Sequence, residues 1–317
     1  MTRAGARHTF AQMAEAKILR IYLDDIPRAR AERGNFNIIN KIQNVFERHG
    51  YRVEFCRNTD VERLKSAARR GYSLFLMDDP FHPRALTMRK AYFYPFWRVE
   101  NTAKRWEFEI AQTPFVPDET DPEEARKFCN TWRRHNLAKT PLGGETDGSV
   151  YIPLQGKLLE HRSFQTASPL EMIKRVLLVE PSRSINIGLH PGETYLPEEL
   201  DAVHRLVDAN PQLLLSSEPM PVLLSRCDYV VTENSSVALT GFFLHKPAVL
   251  FAQIDFHHIA ANVKALGAES AIKRAPNMTP DYDRYLHWFF KGTALNGGAP
   301  EVEDQILDMF QRRGWLL

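Results

Sequence analysis

The spacing of apolar positions changes along the chain, and each change marks a new element. Residues 17–22 (KILRIY) form a short apolar run that predicts a strand. A polar turn at 23–27 and a basic stretch at 28–33 follow. Residues 36–48 then place Ile38, Ile39, Ile42, Val45 and Phe46 at helical spacing, closed by His49 and Gly50. Residues 51–55 and 72–77 read as two further strands, with a helix over 60–70 that Asp60 caps between them. Strand, helix, strand, helix, strand with short connections predicts a parallel sheet with right-handed crossovers.

The second half alternates in the same way. Strands are expected at 150–155, 185–188, 212–216, 228–232 and after Pro247. Helices are expected at 168–178, opened by the capping-box pair Ser168 and Glu171, at 197–209 and at 237–244. An amphipathic helix over 301–313, with Val302, Ile306, Leu307 and Phe310 on one face, is expected to pack back on the first domain. Between the halves, a helix over 122–137 carries Glu123 and Glu124 early and Arg133 and Arg134 late, as the macrodipole favours. The Gly-, Thr- and Pro-containing run 139–149 (KTPLGGETDGS) then reads as a linker. The expected domains are 1–140 and 141–317, with a loose start over 1–15. The aromatic stretch 91–108 reads as core under a lid, Tyr92, Phe93, Phe96 and Trp97 being the large rings; stacking against a sugar is the alternative.

Three places carry candidate chemistry. At 228–244 a buried strand hands over to an apolar helix through Glu233, Asn234, Ser235 and Ser236. Free backbone N–H groups and the dipole make such a helix start a phosphate site, while a Ser there also serves as an ordinary cap. At 185–192 (INIGLHPG) a strand runs into His190, Pro191 and Gly192, which places the imidazole where open parallel sheets bind ligands. In the first half, Asp24–Asp25 and Asp78–Asp79 both follow strands, and Asp25 and Asp79 are the candidates to take a proton from an attacking hydroxyl; acidic residues are also ordinary turn residues.

Residues 149–260 resemble the C-terminal half of the capsular polysaccharide biosynthesis glycosyltransferases, a group that includes bacterial Kdo transferases and is similar in layout to sialyltransferases. The resemblance is carried by Val150 to Gln155, by the His190-Pro191 pair, by Asp228 to Thr232 with Ser235-Ser236, and by Lys246 to Val249. It implies a GT-B-like α/β fold, two Rossmann-like parallel-sheet domains facing across a cleft. It also implies a sugar nucleotide as substrate, CMP-linked and Kdo- or sialic-acid-like, held by His190, Pro191, Gly192, Asn234, Ser235, Ser236, Thr240 and His257, with no further cofactor. The acceptor would be a glycan or polysaccharide. Many nucleotide-sugar transferases place a ribose-gripping Glu where this chain has Thr240, which argues against UDP. A UDP-sugar epimerase, a pyruvyl transferase and a non-catalytic sugar- or partner-binding protein are the alternatives on the same architecture.

Composition narrows the choice. Lys and Arg number 41 against 39 Asp and Glu, so the balance gives no reason to expect a nucleic-acid partner. The three cysteines (Cys56, Cys129, Cys227) lack metal-ligand spacing and suit a reducing cytoplasm. His257, His258 and Asp255 are too close in sequence to converge on one ion, so no metal is expected. No run is long enough to cross a bilayer and the start lacks a signal-peptide apolar core. The expected protein is cytoplasmic, with peripheral association at the inner membrane left open.

Overall fold

The computed structural model describes residues 16–137 and 145–317. The start at 1–15 and residues 139–144 of the expected linker lie outside them. The chain divides into two compact units: residues up to Ala103 together with Leu295–Leu317, and Lys104–Ala294. This division falls well before the boundary at 140, because an apolar face decides which unit a helix joins. Pro122–Asn136 packs within the second unit, where Trp132 stacks on Phe243 at 3.8 Å between ring centroids and Arg133 pairs with Asp283 at 2.7 Å.

The first unit is built on β1 (Ile18–Leu23), β2 (Arg52–Arg57), β3 (Tyr72–Leu76), β4 (Ala85–Lys90) and β5 (Phe96–Glu100). The order is β5-β4-β3-β1-β2, with the short strand Leu295–Asn296 antiparallel on the outside of β5. The β1, β2, β3 and β4 pairs are parallel, and β5 turns back on β4. Phe96 and Trp97 are therefore core as strand residues, not as a layer beneath a lid. The helix Asn37–Arg48 buries the expected stripe of Ile38, Ile39, Ile42, Val45 and Phe46. At about 1.5–3 kcal/mol for each such side chain, this stripe is a main source of the unit's cohesion. Its partner is the C-terminal helix Val302–Arg312, whose Phe310 meets Phe46 edge-on at 5.2 Å, while Trp315 stacks on Tyr72 at 4.4 Å.

Two first-unit elements depart from the sequence pattern. Residues 25–32, expected as a turn running into a basic stretch, are the helix Asp25–Glu32; only Ala31 is buried there, so no apolar stripe announces it. The helix expected over 60–70 stops at Ser66. The chain then passes so close to β1 that a Cβ on Gly71 would lie 2.5 Å from the Ile18 carbonyl oxygen, and Gly71 adopts φ +95°.

The second unit holds β6 (Val150–Pro153), β7 (Ile185–Gly188), β8 (Leu213–Leu215), β9 (Tyr229–Thr232), β10 (Ala248–Leu250) and β11 (Ala261–Asn262). They form one sheet in the order β11-β10-β9-β6-β7-β8, parallel throughout. Val150, Ile152, Tyr229, Val231 and Val249 are all but fully buried, the pattern of a parallel sheet covered on both faces. Among the described residues no helix is long and apolar enough to cross a membrane.

Both sheets reverse direction once. In the first unit β1 is followed by β2 on one side and β3 on the other; in the second, β6, β7 and β8 run outward and β9 returns to the far side of β6. Crevices at the carboxyl ends of strands flanking such a reversal are where open α/β sheets bind ligands.

Candidate functional site

In the second unit the reversal lies between β6 and β9, and the chain leaves β9 through Glu233, Asn234, Ser235 and Ser236. Ser235 is buried and caps the helix Ser236–Phe243, its Oγ accepting the Val237 N–H at 3.2 Å. Ser236 is exposed at the first helical position and Asn234 is half-buried. The capping role thus belongs to Ser235, which takes up the Val237 and Ala238 N–H groups, so the exposed hydroxyl and the N–H of Ser236 make up the anion-ready face. Thr240 is buried and gives its hydroxyl to the Ser236 carbonyl at 3.1 Å, so its polar group is spent inside the helix.

His190 stands at the end of β7, two strand spacings or about 10 Å from β9. It is exposed, as are Pro191 and Gly192. The His190 N–H donates to the Tyr195 hydroxyl at 2.7 Å, and its Nδ1 accepts the Gly192 N–H at 3.1 Å. Accepting at Nδ1 puts the proton of the neutral ring on Nε2, ready to donate to a ligand oxygen. Gly192 makes this possible, since a Cβ there would lie 3.2 Å from His190 Cε1.

In the sequence Glu233 is one polar residue of a turn, and the structure gives it a different character. It is 2 % exposed, and neither carboxylate oxygen has a hydrogen-bond partner among the described residues. Its carbonyl accepts the Ala252 N–H at 3.0 Å, which extends the ladder past β9 and leaves the side chain on the face of Tyr229 and Val231. Burial pushes its carboxyl from 4.5 up to about 8, with the Arg162 guanidinium pulling the other way. Gln155 Oε1, Arg162 Nε and Gln165 Nε2 also lack partners. Gln155 lies just past β6, the neighbour of β9, and Gln165 bridges Ala252, the residue bonded to Glu233. Buried polar atoms are almost always paired, so a doubly unpartnered carboxylate beside these side chains makes this edge the candidate site. No spacing rule singles out Glu233; an acidic residue directly after a β-branched strand was the available signal.

His257, also expected at the site, lies on the loop after β10. Its Nε2–H donates to the Ala111 carbonyl at 3.0 Å and its ring stacks on His258 at 4.3 Å. It lines a cavity of about 480 Å3 together with Trp106 and Lys264.

In the first unit, Asp25 is exposed at the helix start, 3.7 Å from Arg28 and from Arg57. Asp79 is exposed and accepts the Ala103 N–H at 2.6 Å. The residues joined at this reversal are their neighbours: Asn58 Nδ2 donates to Asp24 at 3.1 Å and to Asp78 at 2.7 Å, and Arg63 pairs with Asp78 at 3.3 Å. Among the described residues no group of His, Cys, Asp and Glu is arranged to hold a metal ion.

The two mostly parallel sheets with their surrounding helices define an α/β protein of GT-B-like fold. The structure is similar to that of the β-Kdo 2,7 transferase of Thermosulfurimonas dismutans KpsC, with a TM-score of 0.51 and 14 % identity over 93 % of this chain and 99 % of that one. The β-Kdo 2,4 transferase of the same protein gives a TM-score of 0.47 and 12 % identity over 86 % and 90 %. A UDP-GlcNAc 2-epimerase from Neisseria meningitidis gives 0.34 and 10 % over 93 % and 99 %. No family model matches the chain, and no curated protein does.

Proposed function

We propose that this protein is a glycosyltransferase that takes a sugar from a nucleotide donor, CMP-linked and acidic in the manner of Kdo or sialic acid, and passes it to a glycan or polysaccharide acceptor. The observation that carries this reading is the edge formed by β7, β6 and β9. It combines an exposed helix start at Ser236, a His190 ring whose Nε2–H is free to donate, and the buried carboxyl of Glu233. The fold shared with a Kdo transferase is consistent with it. Thr240 sits where UDP-sugar enzymes offer a ribose-binding carboxylate, and its hydroxyl is tied to Ser236, which favours a donor other than UDP.

In this reading the donor's phosphate rests at the positive end of the helix Ser236–Phe243, on the N–H and hydroxyl of Ser236, and accepts from His190 Nε2–H. These donors meet the charge that grows on the phosphate as the sugar leaves, when stabilisation has most effect on rate. Metal-independent transfer follows from that division of labour. Asp25 and Asp79, exposed at the reversal of the first unit, are the proposed acceptors for the proton of the attacking hydroxyl. The three cysteines are unpaired, in keeping with a cytoplasmic protein that meets sugar nucleotides where they are made.

Calorimetric titration with CMP, UDP and GDP tests the reading, with His190→Ala as the control. Selective CMP binding that is lost in the variant supports it. Absence of binding by any nucleotide overturns it in favour of a non-catalytic binding protein.

A further inference from the structure

The cavity beside the helix start has a definite chemistry. It opens at the carboxyl ends of β10 and β11, with Leu250, Ala252 and Ile254 as an apolar floor. Ala252 is bonded to Glu233, so the cavity begins about one strand spacing from the β9 turn. At about 480 Å3 it falls in the range of small-molecule sites. Trp106 forms a wall, held in place by stacking on Phe164 at 5.2 Å and 25°.

The polar lining is one-sided in charge. Lys264 is its single formally charged side chain, and no Asp or Glu lines the cavity. The Lys264 ammonium meets the neutral Gln253 Oε1 at 2.7 Å, and among the described residues it has no carboxylate at ion-pairing distance. Around it are acceptors. Asn262 spends its Nδ2 on the His257 and Ala260 carbonyls, at 2.9 and 3.2 Å, and keeps its amide oxygen. His257 donates from Nε2 to Ala111, which leaves Nδ1 as the acceptor of the neutral ring. A ligand that satisfies this lining has one negative charge for Lys264, hydroxyls for Asn262 and His257, and an apolar ring face for Trp106.

We infer that this cavity receives the sugar of the donor and that Lys264 is the counter-ion of a carboxylate carried on that sugar. The inference rests on the nucleotide reading above and assigns the acidic sugar to a place separate from the phosphate. A nucleobase would use the Trp106 wall but leave Lys264 without an anion. A neutral sugar would do the same.

The test compares CMP, CMP-N-acetylneuraminate and UDP-N-acetylglucosamine by calorimetry on the full chain and on Lys264→Gln. The wild type should bind CMP-N-acetylneuraminate roughly tenfold tighter than CMP, and the variant should cut that gain severalfold while leaving CMP unchanged. Trp106→Leu should weaken CMP-N-acetylneuraminate and spare CMP, a second readout on the opposite wall. A wild-type protein that binds CMP with no gain from the acidic sugar overturns the inference alone. So does a Lys264→Gln variant that keeps the gain or weakens both ligands equally. Binding of neither cytidine compound removes the nucleotide reading and this inference together.

Discussion

The backbone N–H of Gly192 reaches Nδ1 of His190 at 3.1 Å, and that contact determines which nitrogen of the neutral ring can serve a ligand. Its consequence is measurable. Gly192→Ala puts a Cβ 3.2 Å from His190 Cε1 and should turn the ring away, lowering transfer roughly tenfold with circular dichroism unchanged. His190→Ala should cost on the order of 100-fold or more in turnover, as loss of a transition-state donor does. Full activity in His190→Ala would remove the imidazole from the site.

Glu233 ties the stability of the second unit to pH. Its carboxyl is raised in the folded chain from 4.5 to about 8, so the neutral form is the one the fold favours. The stabilisation is complete below about 4.5 and is lost as pH rises through about 8. The cost of ionising it in place is on the order of 5 kcal/mol by linkage. Urea unfolding should therefore show the wild type weakening between about pH 4.5 and pH 8 and levelling off above that. Glu233→Gln, which keeps the shape without the charge, should flatten that slope. An equal slope in both proteins would mean that Glu233 finds a partner on ionising.

Ser235 and Ser236 separate capping from ligand binding. Ser235→Ala removes the bond to Val237 and should cost about 1 kcal/mol of stability. Ser236 is exposed, so Ser236→Ala should leave stability within about 0.5 kcal/mol while weakening nucleotide binding. If only Ser235→Ala affects binding, the helix start acts through its fold and not through the hydroxyl of Ser236.

The division of the chain makes a fourth prediction. Trp132 lies face to face with Phe243, and Trp132→Ala should destabilise the second unit by about 3–5 kcal/mol. Proteolysis in increasing urea should show its fragments losing protection before those of the first unit. Parallel loss would place Pro122–Asn136 energetically elsewhere.

Much of this architecture was legible because each central element carries its own period. The helix Asn37–Arg48 is visible as Ile38, Ile39, Ile42, Val45 and Phe46, and all five are buried. The handover from Thr232 to Ser236 is visible because a buried strand, a polar turn and an apolar helix follow one another. The helix Asp25–Glu32 was invisible because it buries only Ala31. The unit boundary was hidden because Gly- and Pro-rich composition reports local backbone freedom, whereas Trp132 reports its destination only once Phe243 is in place. Among the candidate site residues, His190 and Ser235 stood out by residue type. Glu233 did not, because its importance lies in burial and in the lack of a partner, which are properties of its neighbours.

The first unit is completed by residues far from its beginning. Phe46 depends on Phe310, and Tyr72 on Trp315, so a nascent chain that has made all five central strands still lacks the helix and the indole that close their core. Domains usually mature in the order in which they are synthesised. Here the earlier-made unit must wait, apolar stripe uncovered, while all of Lys104–Ala294 is translated and free to fold ahead of it. Synthesis of the helix Val302–Arg312 and of Trp315, not emergence of the first hundred residues, sets the moment at which that half of the protein becomes native.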